Sequence, residues 1–345
     1  MILHICVADK FIPDFIKFIG THFDEKIHEY VIFGGDLKKY QILENKNVWH
    51  CDTKSKTLRM LRVMHVAEKI IIHGLFDIRL VRILALTPWL LKKCYWVMWG
   101  GDLYWGRHEN IPNDNRSWRW QVNEESRAFV IKRFGHFITH IKGDYELAKE
   151  WYGAKGQWHE CFMYPSNLYK DYPLQPKAHD TINIQVGNSA DPSNNHLEVL
   201  EKLKAFSDQA IRIYVPLSYG DLEYAETIIS YGIENFGEKF VPLTDFMPFD
   251  KYLDLLATVD IAVFNHRRQQ GMGNATTLLG LGKKIYMRND VTSWEMFKKL
   301  GLTIFNQEII SLDNLSIREK VNNINIIKNY FSEKSLVKKL SIILA

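Results

Sequence analysis

Thr181-Ile182-Asn183-Ile184-Gln185-Val186-Gly187-Asn188-Ser189-Ala190-Asp191-Pro192-Ser193-Asn194-Asn195-His196 is the stretch on which the fold turns. A β-favouring run reaches a glycine, passes through small polar residues, and enters a helix near Asn194. The same unit recurs downstream. Ile211–Pro216, Lys239–Leu243, Asp260–Phe264 and Lys284–Met287 read as strands, and Phe249–Ala257 and Gly271–Leu281 as helical pieces between them. Strands alternating with helices predict a parallel sheet covered on both faces, with ligands beyond the carboxyl ends of the strands.

The pattern also runs upstream. Ile2–Val7, Tyr30–Phe33, Lys69–His73 and Tyr95–Met98 are apolar runs, each followed by glycine or a polar turn, and Phe76–Leu91 has helical spacing. Between the two series lies Tyr164–Asp180, with Pro165, Pro173 and Pro176 and no periodicity, which reads as a linker. The expected organisation is therefore two Rossmann-like βα domains facing a cleft, at 1–165 and 178–315, with a helical tail at 316–345. This α/β arrangement matches the GT-B architecture. The tail carries six Lys/Arg against two Glu among isoleucines. It reads either as a basic amphipathic helix at a membrane or as terminal helices packed on the domains.

The totals agree with a globular chain. Its 345 residues suffice for two domains, with 46% apolar and 24% charged residues. A net charge of +4 is too small to argue for nucleic acid, yet suits anionic ligands or lipid head groups. Cys6, Cys51, Cys94 and Cys161 have no C-x-x-C or zinc spacing and read as reduced thiols. The N-terminus lacks a signal-peptide pattern. The most apolar segment, Leu80–Trp99, is interrupted by Arg82, Lys92 and Lys93, so membrane contact would be peripheral.

Three stretches carry candidate chemistry. The first is the loop just quoted: Gly187 permits close backbone approach, and Asn188, Ser189, Asn194 and His196 lie at a helix start suited to a diphosphate. Asn, Ser and Asp also cap helices without any ligand. The second is His266-Arg267-Arg268-Gln269-Gln270-Gly271-Met272-Gly273-Asn274-Ala275-Thr276-Thr277. Arginine presents a planar fork to phosphate oxygens, and the glycines open the helix N-terminus. The alternative is a solvated basic turn. The third is Trp99-Gly100-Gly101-Asp102-Leu103-Tyr104-Trp105, with His73-Gly74 from the preceding strand. Asp102 or His73 would take a proton from an acceptor hydroxyl, and Trp99, Gly100 and Tyr104 would contact the acceptor. Core tryptophans and a helix-capping aspartate explain the same residues. No D-x-D pair, P-loop, G-x-S-x-G elbow or H-E-x-x-H is present.

These stretches resemble the TDP-N-acetylfucosamine:lipid II N-acetylfucosaminyltransferases of glycosyltransferase family 56, which act in enterobacterial common antigen assembly. The matching residues are His73-Gly74-Leu75-Phe76, Trp99-Gly100-Gly101-Asp102-Leu103-Tyr104, and Val186-Gly187-Asn188-Ser189 with Asp191, Ser193, Asn194 and His196. Val215-Pro216 with Tyr219, the Phe249-Asp250 and Tyr252-Leu253 pairs, and Arg268-Gln269-Gln270-Gly271 with Gly273 complete the set. The resemblance implies a GT-B fold and inverting transfer without cofactor or essential metal. It implies a dTDP-linked amino sugar as donor and an undecaprenyl-diphosphate saccharide as acceptor, at the cytoplasmic face of a bacterial inner membrane. The N-terminal domain would hold the acceptor. Gly187, Asn188, Ser189, Asn194, His196, Pro216, Tyr219, Arg268, Gln269, Gln270, Gly271, Gly273 and Asn274 would hold the donor. Phe249–Tyr286 is also loosely similar to the lipid II synthase of peptidoglycan assembly, where a glutamate holds the donor ribose; Thr277 stands in that place here. Two other classes share the fold or its ligands. A GT-B nucleotide-sugar epimerase would turn over donor alone, and a non-catalytic nucleotide-sugar or saccharide-binding protein would release no nucleotide.

Overall fold

A computed structural model describes residues 1–105, 117–172 and 180–345. The described chain forms two compact units, Met1–Leu168 with Glu333–Ala345, and Tyr169–Ser332. The expected linker divides accordingly. Tyr164 is buried in the first unit, Pro165–Asn167 is a 3-10 turn, and Pro173 and Pro176 lie outside the described residues.

The first unit contains β1 (Ile2–Ala8), β2 (His28–Gly35), β3 (Val48–His50), β4 (Lys69–His73), β5 (Cys94–Val97), β6 (His136–Ile138) and β7 (Gln157–His159). They lie in the order β3-β2-β1-β4-β5-β6-β7, and every pairing is parallel. Helices cover both faces of such a sheet, so its central strands are apolar on both sides. β1 shows this: Leu3, Ile5 and Cys6 are buried, and so is His4. The glycines that end these strands have positive φ: Gly34 and Gly35 at the end of β2, Gly74 after β4 and Gly100 after β5. A Cβ at Gly35 would lie 2.5 Å from the backbone of Ala8, so only glycine lets β1 and β2 end side by side.

The second unit contains β8 (Ile182–Val186), β9 (Ile211–Pro216), β10 (Phe240–Leu243), β11 (Ile261–Phe264), β12 (Lys284–Met287) and β13 (Phe305–Asn306). Their order is β10-β9-β8-β11-β12-β13, again all parallel. The order reverses between β8 and β11, and the two polar loops found in the sequence follow these two strands. Such a reversal point is where open α/β sheets bind ligands.

The Phe76–Leu91 stretch is a helix only over Ile78–Leu86; Pro88 then starts a 3-10 turn reaching Lys93. The tail is two helices belonging to different units. Ile317–Tyr330 opens with a capping box from Ser316 and Glu319 and packs in the second unit. Glu333–Leu344 buries Leu336, Leu340, Ile343 and Leu344 in the first. These are packed helices, and the basic-tail reading gives way to core burial. Among the described residues, no helix is long and apolar enough to cross a membrane.

Candidate functional site

In the second unit, the loops after β8 and β11 are tied into one body. Asn194 is the knot. Its Oδ1 accepts from the Asn188 N–H at 3.0 Å and lies 2.8 Å from His266 Nε2, and its Nδ2 reaches the Asp191 carbonyl at 2.9 Å. An amide oxygen only accepts, so His266 carries its proton on Nε2. Ser193 Oγ lies 2.7 Å from Gln270 Oε1, and Gln270 Nε2 reaches Asn188 and Ser189 at 3.4 and 3.5 Å. Arg268 pairs with Asp191 at 3.2 Å. Gly187 has φ +67°, and a Cβ there would meet His196 Nε2 at 2.3 Å.

This body is incompletely satisfied. Among the described residues, Arg268 Nε, Gln269 Oε1, Gln185 Oε1 and His196 Nε2 are buried with no hydrogen-bond partner. Buried polar atoms normally find partners, so four orphans around two loops mark a place where a polar ligand or water completes the set. Burial lowers the pKa of His266 to about 3, with His196 and Arg268 adding to it, and burial lowers His196 to about 4. Both are neutral at physiological pH, leaving Arg268 as the loop's interior cation. The helix Met272–Gly280 begins at Gly271 (φ +66°) with no side-chain cap, so its first N–H groups are available to an anion. A Cβ at Gly273 would meet nothing within 4 Å, so the surface of this first turn is open.

The remaining donor candidates divide. Tyr219 joins through its hydroxyl, which accepts from Asn188 Nδ2 at 3.1 Å. Asn274 Oδ1 accepts from Tyr252 at 2.6 Å, and Tyr252 lies 3.5 Å from Gln185. Pro216 is the last residue of β9 and offers shape rather than hydrogen bonds. Thr277, one turn along the helix from Gly273, has no side-chain bond to either loop among those described. Gln185 was not singled out by sequence; a buried amide inside an apolar strand was its signal.

The first unit corrects both expected bases. Asp102 is fully buried. Its Oδ2 accepts from the Leu75 N–H at 2.9 Å and the Trp96 indole at 2.7 Å, and its Oδ1 accepts from the Trp99 N–H at 2.9 Å. Arg127 caps the same turn by donating to the carbonyls of Leu75 and Asp102. Burial raises the carboxyl pKa, while Trp96, Leu75, Trp99 and Arg127 lower it. A general base needs a lone pair facing the substrate. This carboxylate instead locks the loop after β4 to the loop after β5.

His73 is likewise fully buried and occupied at both nitrogens. Its Nδ1 lies 2.8 Å from the Tyr164 hydroxyl and its Nε2 lies 3.0 Å from His4 Nδ1; His4 Nε2 lies 2.9 Å from His28 Nδ1. Trp99 Nε1 meets Tyr164 from the other side at 2.9 Å. An indole N–H only donates, and among the described residues the Tyr164 hydroxyl proton has no acceptor but His73, so the direction of the chain follows. Trp99 donates to Tyr164, Tyr164 to His73, His73 to His4, and His4 to His28. Each ring is then the neutral Nε2–H tautomer. Burial lowers His73 to about 3 and His28 to about 4, and pushes His4 well below its usual value. The chain positions Trp99, and the ring nitrogens of His73 are committed to Tyr164 and His4. His4, His28 and Tyr164 were missed by sequence, since only strand order brings them together.

Trp99 and Gly100 do stand at the rim of the sheet. Trp99 packs edge-on against Phe11 at 5.4 Å and Phe76 at 5.6 Å between ring centroids. Tyr104 does not join them; its hydroxyl turns toward Asp144 and its ring packs on Trp151. Trp118 is exposed.

The family model described as 4-alpha-L-fucosyltransferase, glycosyl transferase group 56, matches residues 19–332. The chain belongs to that family. It is a glycosyltransferase. Solved structures agree on the fold. Anabaena Alr3699/HepE in complex with UDP is 11% identical, with a TM-score of 0.65, over 99% of each chain. WaaG, a glycosyltransferase involved in lipopolysaccharide biosynthesis, is 11% identical with a TM-score of 0.60 over the whole of both chains. The UDP-forming α,α-trehalose-phosphate synthase from Burkholderia xenovorans is 9% identical, with a TM-score of 0.63, over 99% of this chain and 98% of that one. The fold of this glycosyltransferase is GT-B.

Proposed function

We propose that this glycosyltransferase moves an amino-deoxy sugar of the N-acetylfucosamine type from a dTDP-sugar to an undecaprenyl-diphosphate-linked saccharide. The transfer inverts the anomeric centre and uses no metal. It takes place at the cytoplasmic face of a bacterial inner membrane, with the protein bound peripherally. The observation that carries the donor half is the pair of lashed loops in the second unit. They combine an inward arginine, four unpartnered buried polar atoms and an uncapped helix N-terminus. Together these neutralise a leaving diphosphate with fixed dipoles and one guanidinium, a role that other enzymes give to a metal ion. HepE, of the same fold, binds UDP and UDP-glucose. The thymine nucleotide and the amino sugar rest on the motif resemblance.

The membrane half is supported by an asymmetry in the first unit. Residues 54–67 and 78–93 contain eight Lys/Arg and no Asp or Glu. Their helices also expose Leu58, Val66, Leu86 and Trp89. Trp89 bonds to His65 at 3.1 Å, which joins the two segments. Lys56, Arg59 and Arg79 pair with carboxylates outside these segments, while Lys54, Arg62, Lys92 and Lys93 form no ion pair among the described residues. Apolar side chains beside such cations suit an anionic bilayer, where each Lys or Arg near the surface contributes about 1 kcal/mol.

The test is nucleotide release from a panel of dTDP- and UDP-sugars with a chelator, with and without an undecaprenyl-diphosphate disaccharide. Acceptor-dependent dTDP release is the expected result. Release without acceptor would replace transfer by an epimerase-like or hydrolytic activity. Loss of release on chelation would overturn the metal-free mechanism.

A further inference from the structure

We propose that Asp9 is the general base that takes the proton from the acceptor hydroxyl, a role that rests on the transfer reading above. The four central strands of the first unit, β1, β2, β4 and β5, are each followed within about five residues by an aspartate: Asp9, Asp36, Asp77 and Asp102. Parallel α/β sheets place substrates at this edge. Three of the four are committed elsewhere or fully solvated. Asp102 is buried with both oxygens occupied. Asp77 holds Arg79 through both oxygens and caps the helix Ile78–Leu86. Asp36 is exposed and caps a turn through the N–H groups of Lys38 and Lys39.

Asp9 differs from all three. It is half-buried, directly after the central strand β1. Its Oδ1 accepts from the Phe11 N–H at 3.3 Å, the Lys10 N–H also reaches the carboxylate, and among the described residues no side chain hydrogen-bonds to it. The ring of Phe11 lies against both Trp99 and Tyr164, so Asp9 borders the aromatic rim that the histidine chain holds in place. The glycines ending β2, β4 and β5 keep side chains out of the neighbouring strand ends. Burial raises the carboxyl pKa; the Phe11 and Lys10 N–H groups and the charges of Lys10 and Lys39 lower it. Tyr164 is the other titratable group that senses it, and its own pKa is pushed far up by burial. The net direction is upward, which makes Asp9 more basic than a solvated carboxylate, as a general base requires.

In the step, the acceptor O–H bond breaks and its proton passes to Asp9 Oδ2. The acceptor oxygen bonds to the anomeric carbon. The bond from that carbon to the diphosphate breaks, and its electron pair leaves with the nucleotide.

Asp9→Asn tests this, because asparagine keeps the Oδ1 acceptor for Phe11 and removes only the basicity. Turnover should fall about 10²–10⁴-fold. The dTDP affinity, measured by titration, should stay unchanged, and Asp9→Glu should recover part of the rate. The acidic limb of the kcat/KM profile, placed above the usual carboxylate range in the wild type, should vanish in Asp9→Asn. Asp9→Asn turnover within threefold of a wild type that is itself acceptor-dependent would overturn the base role alone. Nucleotide release by the wild type without acceptor would overturn the transfer reading and the base role with it.

Discussion

Asp102→Asn separates two explanations of an aspartate that lies in a catalytic-looking motif. A base replaced by its amide would fold normally and lose about 10²–10⁴ in rate. The structure predicts the opposite balance. The amide oxygen can still accept from Leu75 and Trp96, but the new NH2 faces the Trp99 N–H, which then lacks an acceptor. An unsatisfied buried donor costs about 1–3 kcal/mol, and the inserted amide adds a second, so the expected loss is roughly 2–6 kcal/mol. Asp102→Ala orphans three donors, for roughly 3–9 kcal/mol, comparable with the whole stability of a domain. Urea titration followed by tryptophan fluorescence reads this, since Trp96 and Trp99 are two of the three donors. Turnover should then be expressed per folded molecule, where Asp102→Asn should stay within about tenfold of wild type. An Asp102→Asn protein with an unchanged urea midpoint and a thousandfold lower rate would refute the anchoring role and restore the base.

Acid should destabilise both units before carboxylates titrate. His73 and His266 sit near 3 when folded, against about 6.5 unfolded, so stability is intact above pH 6.5 and falls as pH drops below it. Each costs about 2 kcal/mol at pH 5, partly offset by the raised pKa of Asp102, and an equal urea midpoint at pH 7.5 and 5 would contradict the neutral histidines. Gly187→Ala forces a side chain onto His196 at positive φ, so dTDP affinity should drop at least about tenfold while the fluorescence of the first unit is kept. Unchanged affinity would remove the loop from the donor site. Val66→Ser with Trp89→Ser removes about 3–5 kcal/mol of apolar transfer energy if both side chains insert. Co-sedimentation with phosphatidylglycerol vesicles should fall by more than tenfold, and retention equal to wild type would move the membrane face elsewhere.

Much of the fold was legible because buried parallel strands are apolar-rich runs stopped by glycine, proline or a polar residue. β1, β4, β8, β9, β11 and β12 were all readable in this way. β3, β6, β7 and β13 were not, because two or three residues carry no period and their pairing depends on the strand beside them. The two polar loops of the second unit were legible as loops for a related reason: glycines and amides at a strand's end break the apolar run. The first-unit site stayed open between a base and a capping aspartate because burial is not written in a motif. Trp-Gly-Gly-Asp looks alike whether its carboxylate points to solvent or inward, and the three inward donors come from Leu75, Trp96 and Trp99 on two strand ends. Asp9 lacked any motif and emerged only once its three counterparts were placed.

The chain crosses from the first unit to the second after Leu168 and returns at Glu333. The helix that brings Leu336, Leu340 and Ile343 to the first unit is therefore synthesised after every residue of the second. At roughly 5–20 residues per second, the intervening 164 or so residues take about eight to thirty seconds to emerge. Throughout that interval the nascent first unit must wait with the seat of this helix unfilled. Its apolar surface is then open to chaperones or to neighbouring nascent chains, while the second unit, continuous in sequence, can fold as soon as it is made.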